Sequence, residues 1–262
     1  MRKIEAVIFD WAGTTVDYGS YAPVQAFVEA FKKFGVTPTI AEVREPMGML
    51  KWDHIHTMMQ MPRITEEWKK VHGRMWEKRD VDAIYEKSES AIFDILDQFA
   101  SPKPYVLEAV KELRSRGIKI GSTTGYTDEM MKIVMPAAKA QGYEPDAMFT
   151  PNAVNNMGRP YPFMVFKNLE ALGVSSVHAA IKVGDTAADI REGKCAGMIS
   201  VGIIEGSSVM SCTEAEYEAM SQEQRAENAQ RVREFYEACG ADYVINNMSE
   251  LCTLIDKIEA KI

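Results

Sequence analysis

Cysteine is scarce in this chain, with only Cys195, Cys212, Cys239 and Cys252, and no two of them stand at C-x-x-C spacing. That is too few for a disulfide-built scaffold, so the thiols are expected to be reduced and no zinc site is expected. Long hydrophobic runs are missing as well. No stretch approaches the roughly 20 apolar residues needed to cross a bilayer, and Met1 to Phe9 has two basic residues and then a short apolar run, too brief for a secretory segment, that reads as a first strand. The expected compartment is therefore the cytoplasm, with no membrane partner. Positive charge is also in deficit, with 30 lysines and arginines against 38 aspartates and glutamates, a formal net charge of −8. Nucleic acid is excluded as a partner, because its affinity comes chiefly from basic residues facing phosphates. An anionic substrate must meet a local positive field instead. Internal repeats and low-complexity tracts are absent too.

What is present is an ordinary globular composition, 262 residues with 46% apolar and 26% charged, enough for one large α/β domain or for one carrying an insertion. Ile4 to Phe9, Ile118 to Thr123, Ala180 to Val183 and Ile199 to Ile203 are short apolar runs, each followed by Gly, Ser, Thr or Asp, as buried parallel strands are. Between them, Pro104 to Arg116 and Tyr161 to Leu172 carry helical periodicity and end at Gly117 and Gly173. This alternation predicts an α/β fold, a doubly wound parallel sheet. Residues 21–99 break it with helical patterns alone: Val24, Phe27, Val28 and Phe31 before Gly35, a capping box at Thr39 and Glu42, and Ile84 to Leu96. The expected organisation is a core of residues 1–20 and 100–262 with an inserted helical domain at 21–99. Ser101-Pro-Lys-Pro104 forms the return hinge, and Gly19 and Pro23 flank the outgoing one. The acidic stretch Thr213 to Cys239 reads as helical, with no function attached.

Four places carry chemistry. Asp10 directly follows the first strand in Asp10-Trp-Ala-Gly-Thr-Thr-Val-Asp17, which puts a carboxylate at the carboxyl end of the sheet, where α/β folds bind ligands. Gly121-Ser-Thr-Thr-Gly-Tyr126 offers hydroxyls and amides near a helix start, an anion cradle. Gly158-Arg-Pro-Tyr-Pro162 supplies Arg159, able to neutralise a phosphoryl group or Asp10. Val183-Gly-Asp-Thr-Ala-Ala-Asp189 places Asp185 at another strand end and Asp189 one turn on, suited to a hard cation such as Mg²⁺, or, for Asp189, to capping the helix at Thr186.

These elements, a D-x-x-x-T-x-x-D, a threonine after the second strand, a basic residue and a G-D-x-x-x-D, resemble the haloacid dehalogenase superfamily over essentially the whole chain. The resemblance implies Asp10 as nucleophile, Asp10, Asp185 and the backbone carbonyl of Ala12 as Mg²⁺ ligands with Asp189 in support, and Thr124, the Gly125 amide and Arg159 on the phosphoryl oxygens. Phosphatases of the superfamily carry a second aspartate two residues after the nucleophile to protonate a leaving alcohol. Here that position is Ala12. General acid catalysis is worth about 10²- to 10⁴-fold, so the leaving group is not expected to be an alkoxide. Halide displacement also dispenses with the acid, but it needs no metal aspartates. The remaining chemistry is phosphonate cleavage, in which a departing carbanion needs an imine as electron sink, and an imine needs a lysine.

Met47-Gly-Met-Leu-Lys51-Trp-Asp-His54, with the Asp10 segment, resembles the phosphonatase branch. That resemblance implies hydrolysis of phosphonoacetaldehyde to acetaldehyde and phosphate, with Lys51 forming the Schiff base, His54 and Met47 in support, and Tyr126 lining the pocket. It also implies a homodimer. In a helix, Lys51 and His54 share a face, and His56 and His72 are assigned to surface or packing. The alternative function is a magnesium-dependent phosphatase or phosphomutase acting on a small phosphorylated metabolite.

Overall fold

In the computed structural model, which describes residues 3–46 and 51–260, the chain divides into two compact units, Met1–Ser20 with Phe99–Ile262, and Tyr21–Gln98. Met47 lies outside the described residues.

The first unit is built on a six-stranded, all-parallel sheet: β1 (Ala6–Phe9), β2 (Lys119–Thr123), β3 (Ala147–Phe149), β4 (Ala180–Gly184), β5 (Ile199–Ile203) and β6 (Tyr243–Ile245), in the order β3-β2-β1-β4-β5-β6. The order reverses between β1 and its neighbours β2 and β4, the switch point at which open α/β sheets bind ligands. The register pairs Phe9 with both Ser122 and Val183, so β1, β2 and β4 end level with one another. β1 is covered on both faces, which explains its unbroken apolar run; Ala6, Val7 and Ile8 have no exposed surface.

Helices flank the sheet: α6 (Val106–Ser115), α7 (Asp128–Ala140), α8 (Phe163–Leu172), α9 (Ala187–Ala196), α10 (Glu214–Ala219), α11 (Gln222–Ala238) and α12 (Leu251–Glu259). On one side Val165, Leu169 and Leu172 of α8 pack with Ala6, Ile8 and Ala180. Two helices start two residues later than their patterns suggest. Tyr105 takes a left-handed conformation ahead of α6, and Pro162 caps α8 outside helical geometry. The acidic stretch is helical as expected and forms two helices, because Thr213 and Ser221 each open a capping box of their own.

The second unit comprises α1 (Tyr21–Lys32), α2 (Ile40–Arg44), α3 (Lys51–Gln60), α4 (Pro62–His72) and α5 (Lys78–Phe93), with the expected Thr39–Glu42 capping box formed. Its interior joins Phe27, Phe31, Ile55, Met58, Met59, Ile64, Trp68 and Ile84. The two connecting segments run together in the first unit, where Val16 bridges Pro102 and the Lys103 amide donates to the Thr15 carbonyl. No helix among the described residues is long and apolar enough to cross a membrane.

Candidate active site

Asp10 leaves β1 with its amide bonded to the Val183 carbonyl at 3.0 Å, and its own carbonyl accepts from the Thr15 hydroxyl at 2.9 Å. The turn that follows is tight. Thr14, Thr15 and Val16 all donate their amides to the Trp11 carbonyl, and Gly13 takes a φ of +81°. A Cβ at Gly13 would stand 2.2 Å from Asp185 Oδ2, so only glycine lets this turn approach the carboxylate. The Thr14 hydroxyl lies 3.3 Å from both Asp10 Oδ2 and Asp185 Oδ1, joining the two acids.

Arg159 reaches into the same place. Its Nη2 donates to Asp10 Oδ1 and, at 2.9 Å, to the Thr123 carbonyl, while Nη1 lies 3.1 Å from Asp189 and Nε 3.2 Å from Glu192. Burial disfavours the charged guanidinium, but Asp10, Asp189 and Glu192 more than offset it and raise its pKa above the ordinary value.

Three buried carboxylates, Asp10, Asp185 and Asp189, offer oxygens within 4.8 Å of one another. They are not equivalent. Both oxygens of Asp189 are engaged: Oδ2 with Thr186, completing the α9 capping box, and Oδ1 with Lys182 and Arg159. Burial would raise its pKa, but Arg159 and Lys182 lower it below the usual carboxylate value. Asp185 receives the Ser208 amide at 2.8 Å and forms no ion pair with a lysine or arginine among the described residues. Burial first, then Asp10 and Asp189, push its pKa up to about 7. A buried acid short of a cationic partner, beside a second carboxylate, has the chemistry of a hard-cation site, with Asp189 orienting rather than ligating. The Ala12 carbonyl fits as a further donor. The Ala12–Val16 bridge runs through the Gly13 amide and the Trp11 carbonyl, so Ala12's own carbonyl takes no part in it.

The anion cradle lies at the end of β2. Thr124 is buried, and its Oγ1 accepts the Tyr126 amide at 3.0 Å, which leaves the hydroxyl proton to donate. A Cβ on Gly125 would meet nothing within 4 Å, so there is open space beside its backbone. Tyr126 is partly buried; burial and then the charges of Asp17, Asp10 and Asp185 raise its phenol well above its ordinary pKa. The fold thus brings Asp10, Ala12, Thr124, Gly125, Tyr126, Arg159, Asp185 and Asp189 to the carboxyl ends of neighbouring strands.

Lys51 and His54 belong to the helical unit. Lys51 is exposed at the first described turn of α3, whereas His54 is 2% exposed, stacked on Phe27 with ring centroids 4.1 Å apart. Burial pushes the His54 imidazole down to about 4 despite a hydrogen bond to the Val43 backbone, and its Nε2 has no partner among the described residues. Three residues apart, the two side chains meet different surroundings.

Three charged residues of the site escaped the sequence reading. Lys182, in the middle of β4, and Glu192, on α9, have no exposed surface, and Lys182 Nζ lies 2.8 Å from Asp189 and 3.4 Å from Glu192. Lys103, within the return hinge, donates to the carbonyls of Gly13 and Glu205; burial lowers its pKa to about 8, with Asp185, Glu205 and Asp10 acting against the shift. A lysine inside an apolar strand was the available signal for the first. A lysine between two prolines was the signal for Lys103.

Residues 4–197 match the family model of the haloacid dehalogenase-like hydrolases. The chain is 46% identical to a phosphonoacetaldehyde hydrolase of Lysinibacillus sphaericus, with 99% of this chain and 97% of that protein covered. It is 51% identical to one of Bacillus cytotoxicus, covering 98% and 97%. Among solved structures, it is similar to a phosphonoacetaldehyde hydrolase-like protein of Oleispira antarctica, with a TM-score of 0.82, 36% identity, and 98% and 93% of the two chains covered. With its parallel sheet, its acid cluster at the switch point and these relatives, the chain belongs to the phosphonoacetaldehyde hydrolase family of haloacid dehalogenase-like hydrolases.

Proposed function

We propose that this enzyme hydrolyses the carbon–phosphorus bond of phosphonoacetaldehyde, giving acetaldehyde and phosphate, through a Schiff base on Lys51 and an aspartyl phosphate on Asp10. The observation that carries the reading is Ala12, a side chain with no proton to give, two residues after a nucleophile that is otherwise fully equipped. An alcohol leaving group would need that proton; a carbon leaving group needs an electron sink instead.

The Lys51 amine adds to the aldehyde and expels water to give an iminium. An Asp10 oxygen attacks phosphorus in line, the carbon–phosphorus electron pair flows into the iminium, and an enamine departs. The enamine takes a proton on carbon, and one water releases acetaldehyde from Lys51. A second water attacks the aspartyl phosphate, freeing phosphate and Asp10. Arg159, the Thr124 hydroxyl and the Gly125 amide hold the phosphoryl oxygens as charge redistributes. Asp10, Asp185 and the Ala12 carbonyl would hold Mg²⁺, which supplies the positive charge that lets an anionic nucleophile approach an anionic phosphoryl group. His54, kept neutral near pH 7 by burial and three residues from Lys51, plays a supporting part in this reading. In this reading Tyr126 contacts the substrate, Met47 supports Lys51, and the enzyme works in the cytoplasm as a homodimer.

Release of phosphate and acetaldehyde, with Mg²⁺ or chelator, from wild type and Lys51→Arg tests it, with a phosphate monoester in parallel. Metal-dependent formation of both products that collapses in Lys51→Arg is expected. Turnover of the monoester alone would make the protein a phosphatase and remove the phosphonate reading.

A further inference from the structure

Arg159 is held along three edges of its planar guanidinium: Nη2 by Asp10 and Thr123, Nη1 by Asp189 and Nε by Glu192. Once Asp10 bonds to phosphorus, its hold on Nη2 is shared with the phosphoryl oxygens. The orientation of the guanidinium then depends on the other two edges. Asp189 already caps α9. Glu192 has no capping work. Its Oε2 receives the Thr123 hydroxyl at 2.9 Å, Arg159 Nε at 3.2 Å and Lys182 Nζ at 3.4 Å, and its Oε1 has no partner among the described residues.

The backbone is shaped to allow this. A Cβ on Gly193 would stand 2.2 Å from Ser200 Oγ and 2.9 Å from Lys182 Cβ, so a glycine lets α9 lie against β4 and β5 and seats Lys182 beside Glu192. A wholly buried lysine and glutamate are costly to maintain for stability alone, since apolar residues of similar volume serve that purpose as well or better. Everything Glu192 bonds to lies on the path to Arg159.

We propose that Glu192, seated by Lys182, is a positioning residue that fixes the presentation of Arg159 to the phosphoryl group. The proposal rests on the phosphonate-cleaving reading of the same site for its substrate, but not for its phosphate chemistry.

A double-mutant cycle tests it: wild type, Glu192→Gln, Arg159→Lys and the double variant, each assayed for kcat/KM on phosphonoacetaldehyde with Mg²⁺ and for binding of inorganic phosphate by calorimetry. Arg159→Lys keeps the positive charge but has no Nε edge to orient. With Arg159 present, Glu192→Gln is expected to lower kcat/KM and phosphate affinity about 10-fold or more, the scale of one charge-assisted hydrogen bond. In the Arg159→Lys background, the same change should cost less than about 2-fold. Equal losses in both backgrounds mean a merely structural role and overturn the proposal. So does undiminished phosphate affinity in Glu192→Gln, or no phosphate binding by wild type. If wild type binds phosphate but leaves phosphonoacetaldehyde intact, the functional reading fails, and the binding arm still decides the role of Glu192. Should Glu192→Gln not fold, Lys182→Met/Glu192→Gln, which removes both charges together, takes its place in the cycle.

Discussion

The helical unit packs Phe27, Phe31, Ile55, Met58, Met59 and Trp68 into its interior with few polar groups among them, whereas the α/β unit buries Asp10, Asp185, Asp189, Glu192, Lys103 and Lys182. Apolar burial stabilises by roughly 25 cal/mol per Å². Buried charge stabilises little or not at all, and losing one partner of a buried pair is severe. One unit is thus held together by what it buries, while the other holds a reactive charge cluster in place by the packing around it. The proposed amine follows the same division: Lys51 is exposed on a unit that needs nothing from it for folding.

The largest expected effects separate activity from stability. Asp10→Asn and Lys51→Arg should each lower phosphonoacetaldehyde turnover by about 10⁴-fold or more. Lys51→Arg should leave the melting temperature within about 1 °C of wild type, as surface substitutions do. A Lys51→Arg variant that melts much earlier would break the separation.

Next come substitutions aimed at the two interiors. Lys182→Met should destabilise by about 3–5 kcal/mol in urea, because it leaves Asp189 and Glu192 short of a cation. Lys182→Met/Glu192→Gln should recover part of that loss. Ile55→Ala, in the helical unit, should cost about 2–5 kcal/mol through the cavity it opens, with no neutralising change to rescue it. A loss below about 1 kcal/mol for Lys182→Met would show that the charge cluster tolerates imbalance, and the contrast between the units would fail.

Much of this contrast was legible in the sequence, and its limits are physical. The four inner strands announced themselves because both faces are covered, giving short, mostly apolar runs, of which Ala6-Val-Ile-Phe9 is unbroken. The edge strands Ala147–Phe149 and Tyr243–Ile245 are three residues long and partly exposed, too short to form a pattern. Asp10, Thr124, Arg159 and Asp185 could be read because each stands at a strand end or in a loop. Lys182 and Glu192 could not. A lysine inside the buried strand Ala180-Ile-Lys-Val-Gly184 signals a buried charge but not its partner, and Glu192 reads as one more charge on a surface helix, until the fold sets them against each other. His54 was readable as Lys51's neighbour, but not as a buried ring on Phe27, because its burial depends on helices α1 and α2 packing beside it.

That histidine gives the helical unit a sensitivity to acid between about pH 6.5 and 4. Its folded pKa, about 4, lies below the ordinary value of 6.5. The neutral form is therefore favoured by folding, its contribution is fully present above about pH 6.5, and it is lost as the pH falls towards 4. Roughly 3 kcal/mol should disappear across that window in urea titrations. His54→Leu should flatten the dependence, and an unchanged slope would mean that the acid sensitivity arises elsewhere.

The smallest effect concerns the α/β unit. Mg²⁺ at about 100 times its Kd should add about 2.7 kcal/mol, reversed by chelator and absent in Asp185→Asn. Stabilisation that persists in Asp185→Asn would place the ion at another site.

Whether Lys51 supplies the electron sink is decided by borohydride reduction during turnover, followed by mass spectrometry of the peptides. A reduced two-carbon adduct on Lys51 is expected, formed only with substrate and accompanied by irreversible loss of activity. Full activity after reduction, or an adduct confined to other lysines, would contradict the imine mechanism.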